Sequence, residues 1–142
     1  MNNKLSQNII RAEAACNCGC GFDVADSKTV QMVQEVADHV LEFTGAERVI
    51  VNINSWCRCK DHNEAVQLQA DPNYVLLSSE SKHMLGNACD FWIEIIKDGE
   101  RSVIDPHLVY EYMNRKYAGY FGLGKYNEFT HVDSRSGDGK RW

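Results

Sequence analysis

Two short stretches of the chain concentrate residues that can bind a metal and move a proton. The first is Ser81-Lys82-His83-Met84-Leu85-Gly86-Asn87-Ala88-Cys89-Asp90, and the second is Glu128-Phe129-Thr130-His131-Val132-Asp133. In the first, the imidazole of His83 sits in a loop and the carboxylate of Asp90 near the start of a strand. The small Gly86 and Ala88 between them let that loop fold tightly against a sheet. Side chains two apart on a strand share a face, so the second stretch presents His131 and Asp133 together, with Glu128 just ahead of them. His83 and Asp90 make two legs of a zinc site, and the second stretch adds a further neutral imidazole and a carboxylate that need not bind metal. Three protein ligands and an open water position are the catalytic zinc arrangement, in which the bound water's pKa falls to about 7. A neighbouring carboxylate can take the proton as that water attacks a carbonyl. On residue types alone, scattered surface polar groups remain the alternative.

The other candidate ligands are weaker. His39 and His62 fall inside helical segments and His107 in the first turn of a late helix, where surface or capping roles are expected. The six cysteines form two clusters, Cys16/Cys18/Cys20 and Cys57/Cys59, with Cys89 alone. Reduced, partly buried thiols are the first reading. A structural zinc built from both clusters and disulfides formed after export stay open. Cys-x-Cys spacing is poor for an internal bridge, and the C-x₂-C pairs of the common zinc sites are absent from the sequence.

The elements that must position these residues can be read from pattern. Residues 1–25 form an irregular, Gly- and Cys-rich lead-in. Asp26-Ser27 offers an N-cap, apolar residues recur at helical spacing from Val30 to Leu41, and Gly45 ends the run, which predicts a helix over 27–44. The β-branched run 48–54 predicts a strand, 60–69 a short helix, Asp71-Pro72-Asn73 a turn and 75–87 a loop. A strand over 88–96 closes at the turn Lys97–Glu100. Asp105-Pro106 starts a helix to about Tyr117, and two short strands follow within 119–126 and 129–135. Segregated helices and hairpin-like strands imply an α+β fold with a small, mainly antiparallel sheet and flanking helices.

Composition sets outer limits. The chain has 142 residues, 44% apolar and 25% charged, with 15 Lys+Arg against 20 Asp+Glu. That suits one domain over 1–142 with a real core and is too apolar for disorder. The acidic balance argues against a nucleic-acid partner, whose affinity comes largely from Lys and Arg meeting phosphate. No apolar run is long enough for a membrane span or a secretory signal, so neither membrane insertion nor an export address is expected, and synthesis in the cytoplasm is. Gly119-x₄-Gly124-Lys125 imitates a phosphate-binding loop, but no Ser or Thr follows and a strand is predicted where a helix is required. Nucleotide binding is not expected.

The two metal-binding stretches, S-x-H-x-x-G-x-A-x-D at 81–90 followed by E-x-x-H-x-D at 128–133, resemble those of the zinc D-Ala-D-Ala carboxypeptidase family. That family includes L-alanyl-D-glutamate endopeptidases of phage endolysins and shares its fold with the hedgehog signalling domain. Asn54-Ser55-Trp56-Cys57-Arg58-Cys59-Lys60-Asp61-His62-Asn63 looks like the family's S-x-x-R…H-N stretch, and Gly122-Leu123-Gly124-x-Tyr126 and Arg141-Trp142 fit as well. The resemblance implies His83, Asp90 and His131 as ligands of one catalytic zinc, Glu128 as the catalytic carboxylate, and Arg58 as the group that binds the substrate's carbonyl or carboxylate. It implies that Ser81 orients the site by hydrogen bonding and that Asp133 holds the second ring nitrogen of a ligating histidine. The implied function is hydrolysis of a peptide bond in bacterial peptidoglycan stems, of D,D-carboxypeptidase or L-Ala-D-Glu endopeptidase type. The enzyme would be monomeric and reach the cell wall after holin-type release. The rival readings are a zinc-stabilised binding or virion domain of the same fold without catalysis, and a cysteine-based metal or redox protein.

Overall fold

A computed structural model describes residues 3–21, 23–72 and 86–142. The chain opens with a small hairpin, β1 (Lys4–Ser6) and β2 (Ile9–Ile10), that runs into a short helix, α1 (Arg11–Ala14). This corrects the irregular lead-in expected over 1–25. The cause is burial: Ile9 and Ala14 are fully enclosed in the main core, and Gln34 accepts hydrogen bonds from Ser6 Oγ at 2.7 Å and from the Asn8 N–H at 3.0 Å.

Helix α2 (Ser27–Thr44) matches the expected span. Asp26 caps it by accepting from the Thr29 N–H at 3.1 Å, and Gly45 closes it in the left-handed conformation, φ 67°. Its buried stripe is Val30, Val33, Val36, Ala37 and Val40. Strand β3 (Arg48–Ser55) and helix α3 (Lys60–Ala70) follow, then β4 (Ala88–Lys97), β5 (Glu100–Val103), α4 (Pro106–Lys116), β6 (Gly122–Lys125), β7 (Thr130–Asp133) and β8 (Lys140–Arg141). Asp105 and Pro106 start α4 as expected, the carboxylate accepting from the His107 N–H at 2.9 Å. The strands β5 and β8 were not expected. β5 completes a tight hairpin whose turn residues Asp98 and Gly99 both take positive φ, as a two-residue hairpin turn requires.

The result is a mixed α+β fold with a mainly antiparallel sheet. The order is β3-β4-β7-β6-β8, with β5 also on β4; β6 and β8 run parallel and the other pairs antiparallel. Alternation gives the sheet two different faces. Val49, Val51, Phe91, Ile93, Leu123 and Val132 join the core built with α2 and α4. The opposite parity on β4 and β7 carries Asp90, Trp92, Glu94, His131 and Asp133. No helix among the described residues is long and apolar enough to cross a membrane.

Glu35 ties α2 to the end of α4. It accepts from the Tyr117 hydroxyl and from Gln31 Nε2 at 3.0 Å, with the Lys116 ammonium 3.6 Å away. Burial pushes its pKa up, but those hydrogen bonds and the lysine charges outweigh burial and hold it below 4.5. A depressed carboxylate pKa contributes stability above the unfolded value, and that stability is lost as pH falls through the folded one. Glu35→Gln should therefore be less stable than wild type at about pH 7 in urea titrations, with the difference closing below about pH 4. A difference that persists unchanged into stronger acid would assign the loss to packing instead of charge.

Candidate metal and substrate site

The site begins with register. Asp90 stands directly opposite His131 across the β4–β7 pair, and opposite Ser55 across the β3–β4 pair. Gly124 of β6 stands opposite His131. Ser55, Asp90, His131 and Gly124 thus form one row across four strands. A β-bulge between Ile53 and Ser55 makes the row possible. It inserts Asn54 and rotates Ser55 onto the face of Asp90, which regular alternation would deny it.

Hydrogen bonds weld the row together. His131 Nδ1 lies 2.7 Å from Asp90 Oδ1, and His131 Nε2 lies 2.9 Å from Asp133 Oδ2. Arg58 Nη2 approaches the other Asp90 oxygen at 3.6 Å. Its Nε donates to Ser55 Oγ at 2.9 Å and its Nη1 to Asn63 Oδ1 at 3.3 Å. Asp133 is fully buried and accepts two hydrogen bonds from the Arg135 guanidinium, at 2.7 and 2.6 Å. Asn63 is also fully buried, and its Nδ2 has no hydrogen-bond partner among the described residues.

The charges are strongly coupled. Burial lowers the His131 pKa, but hydrogen bonds and charge from Asp133 and Asp90 more than reverse this, so the net shift is upward. Burial raises the Asp133 pKa, but Arg135 and His131 dominate and hold it well below the usual carboxylate range. Burial lowers that of Arg58, with Asp90 opposing. An imidazole flanked by two carboxylates occupies a well of negative potential. An imidazolium proton satisfies it, and so does a divalent cation with neutral imidazole, carboxylate and an orienting carboxylate behind the ring.

Two glycines shape the space around the histidine. A Cβ on Gly122 would lie 2.3 Å from Asp133 Oδ2, and one on Gly124 would lie 2.6 Å from Trp142 Nε1. The Gly-Leu-Gly run therefore points two absent side chains at the site and one buried Leu123 at the core. The Trp142 ring centre lies 4.9 Å from that of His131, and its Nε1 donates to the Tyr126 hydroxyl at 2.8 Å. The Arg135 guanidinium packs over the same indole.

The expected site residues are thus partly assembled. Asp90, His131, Asp133 and Arg58 converge. Glu128 stands apart from the row, exposed on the turn before β7, lining an open groove with Asn54, Trp92, Val103, Pro106 and Asn127. Trp92 follows Asp90 by two positions, so the groove borders the same face of β4. Ser81 and His83, with most of the expected loop 75–87, lie outside the described residues. Ser55 and Arg135 had no assigned role in the sequence reading. Arg135 was accessible by parity, two residues beyond Asp133, whereas Ser55, though it opens the S-x-x-R stretch, owes its orientation to a bulge that alternation does not announce. The imitation phosphate loop runs into strand β6, as expected, and makes no helix N-terminus.

The cysteines divide differently from their spacing. All six are free thiols. Cys16, Cys18, Cys20 and Cys59 gather with their sulfurs within 4.8 Å of one another, a group that could hold a metal ion. Cys57 is buried elsewhere, where burial pushes its thiol up to about 11. Cys89, adjacent to Asp90, faces the core, and complete burial raises its pKa well above the ordinary thiol value.

No family model matches the chain, and no curated protein or solved structure matches it either.

The crowding at Gly122 yields a direct check. Gly122 does not lie at positive φ, so Ala is tolerated by the backbone and acts only through its Cβ. Gly122→Ala should drive the Asp133 carboxylate off His131 Nε2 and cost about 1–3 kcal/mol, the range for disrupting a buried charged hydrogen bond. Ring-nitrogen NMR of His131 together with denaturant melts will register it. An unchanged His131 spectrum would show that Asp133 is not held where the structure puts it.

Proposed function

We propose that this chain is a zinc-dependent peptidase that hydrolyses a peptide bond in bacterial peptidoglycan stem peptides, of D,D-carboxypeptidase or L-Ala-D-Glu endopeptidase type, with a hedgehog/DD-peptidase-like fold. The observation that carries the reading is the 2.7 Å pairing of Asp90 Oδ1 with His131 Nδ1, with Arg58 at the second Asp90 oxygen. These are three of the residues that the two-part motif and its arginine stretch assign to one centre, and they meet through three separate segments of chain.

The donor set suits zinc: a carboxylate and an imidazole side by side, the second ring nitrogen engaged by another carboxylate. Asp90, His131 and His83 would hold the ion, which supplies a Lewis acid and a water of lowered pKa. Asp133 fixes the His131 ring so that Nδ1 faces Asp90, and Arg135 keeps Asp133 ionised. Arg58 offers a planar fork, already oriented by Ser55 and Asn63, to a substrate carboxylate or to the oxygen that gains charge during attack. Glu128, lining the groove beside Trp92, would serve as the base that takes a proton from the attacking water and returns it to the leaving amine. The groove along Asn54, Trp92 and Glu128 gives an extended stem peptide a path beside that centre.

Separating base from ligand tests the proposal. Glu128→Gln should keep zinc and fold while turnover on purified peptidoglycan falls by roughly 10²–10⁴, the usual contribution of general acid–base catalysis. His131→Ala should lose metal from this centre and activity together. Muropeptide mass spectrometry identifies the bond cut. A zinc-loaded wild-type chain that leaves peptidoglycan intact would replace the enzyme with a zinc-stabilised binding domain.

A further inference from the structure

We propose that Cys16, Cys18, Cys20 and Cys59 form a second, purely structural site for a zinc ion, separate from the Asp90–His131 centre, that clasps the N-terminal segment to the start of α3.

Geometry is the first argument. Cys16 Sγ lies 3.4 Å from Cys18 Sγ, and Cys18 Sγ lies 3.7 Å from Cys59 Sγ. A disulfide would require about 2.05 Å. Four thiolates at about 2.3 Å around a tetrahedral zinc stand about 3.8 Å from each other. All four sulfurs lie within 4.8 Å of one another, so the group is at the spacing of a coordination shell and not of a bond.

The donor set is the second argument. The group holds four soft sulfur ligands, the chemistry that selects zinc, copper(I) or an iron–sulfur centre among cellular metals, and a tetrahedral set of four narrows this to zinc or iron–sulfur. Four protein ligands close a zinc shell and leave no position for water or substrate, which makes the site structural and not catalytic.

The surrounding backbone is the third argument, because it is already arranged to receive sulfur charge. The Cys59 N–H donates to Cys16 Sγ at 3.4 Å, and the His62 N–H donates to Cys59 Sγ at 3.4 Å, where Cys59 caps α3. The Cys16–Cys20 turn is closed by the Gly19 N–H to the Cys16 carbonyl at 3.1 Å, with Gly19 at φ 82°. Asn17 Nδ2 within the turn donates to the Asn54 carbonyl at 2.8 Å, and just ahead of the turn the Ala14 carbonyl accepts from the Cys57 N–H at 3.1 Å.

The clasp has a consequence for the neighbouring centre. Cys59 directly follows Arg58, the arginine that reaches Asp90. Zinc at the cluster would pin the carbonyl side of Arg58 to the N-terminal turn, while Ser55 and Asn63 hold its guanidinium.

The two metal sites can be emptied independently, so the inference stands apart from the peptidase reading. The full chain is prepared with zinc and a thiol-free reductant, as wild type, as His131→Ala, and as His131→Ala carrying Cys18→Ser and Cys20→Ser. Cys18 and Cys20 are exposed, so neither serine disturbs the core. The His131→Ala protein should keep about one zinc per chain. On exchange to cobalt it should show the intense sulfur-to-cobalt charge-transfer absorption of a thiolate site. Both should vanish in the triple variant, with circular dichroism confirming that it folds. Cobalt-exchanged wild type supplies the same thiolate signature without any substitution. The inference is overturned if the cobalt-exchanged chain lacks that absorption or if zinc survives both serines. It is equally overturned if intact mass shows the hydrogens lost to a disulfide, or if the bound metal is iron.

Discussion

If β7 slipped by one residue against β4, His131 and Asp133 would turn toward the helices and Val132 would take their place on the open face. The period of a strand is two, so such a slip exchanges the two faces completely. Register between these strands is therefore the constraint on which the candidate site depends. It is enforced from the core side, where Cys89 opposes Val132, both fully buried. The ends are fixed as well: the Ser134 N–H bonds the Asn87 carbonyl at 3.1 Å, and Ser134 Oγ donates to the Asp26 carboxylate that caps α2. The same apolar burial that orders the sheet thus aligns a carboxylate with an imidazole on its far side.

That alignment concentrates charge where water is scarce. Asp90, Asp133, Arg58 and His131 are all buried, and the burial of ionised groups is tolerated only when each has a close partner. Here the partners form a chain, from Ser55 and Asn63 through Arg58 to Asp90, then His131, Asp133 and Arg135. Removing an interior member leaves its neighbours uncompensated, so energetic effects within the chain will not add. Gly122 and Gly124 are part of the same economy of space, since any side chain at either would displace Asp133 or Trp142.

The long elements were legible because their signals are local. Asp26 and Gly45 bracket α2, Asp105-Pro106 opens α4, and the run 88–96 announces β4 within a residue. The pieces that were missed lack such signals. β5 is exposed at all four positions and shows no alternation of burial, while β8 and the β1–β2 hairpin consist of two or three residues held by distant partners. Parity gave His131 and Asp133 a common face, which the structure bears out. It could not find Ser55, whose orientation depends on a bulge. It could not say which of Cys57 and Cys59 belongs with Cys16, since that depends on how the chain bends after β3.

The segment from Ser55 to Asn63 is where these threads meet. Within it, Ser55 and Asn63 hold Arg58 from either side. Trp56 buries its ring in the core and donates Nε1 to the Gly86 carbonyl at 2.8 Å, and Cys59 turns outward to the sulfur cluster. Gly86 also accepts from the Asp26 N–H at 2.9 Å and leads into the strand that carries Asp90. A Cβ there would lie 2.4 Å from the Val24 carbonyl oxygen, and its φ is 71°, so glycine is required on both steric and conformational grounds. One short connection thus joins the N-terminal turn, the arginine and the approach to Asp90. Cys59 is joined to Arg58 by a single peptide bond, whereas the outer strands β6 and β8 are separated from the β3 end of the sheet by β7 and β4.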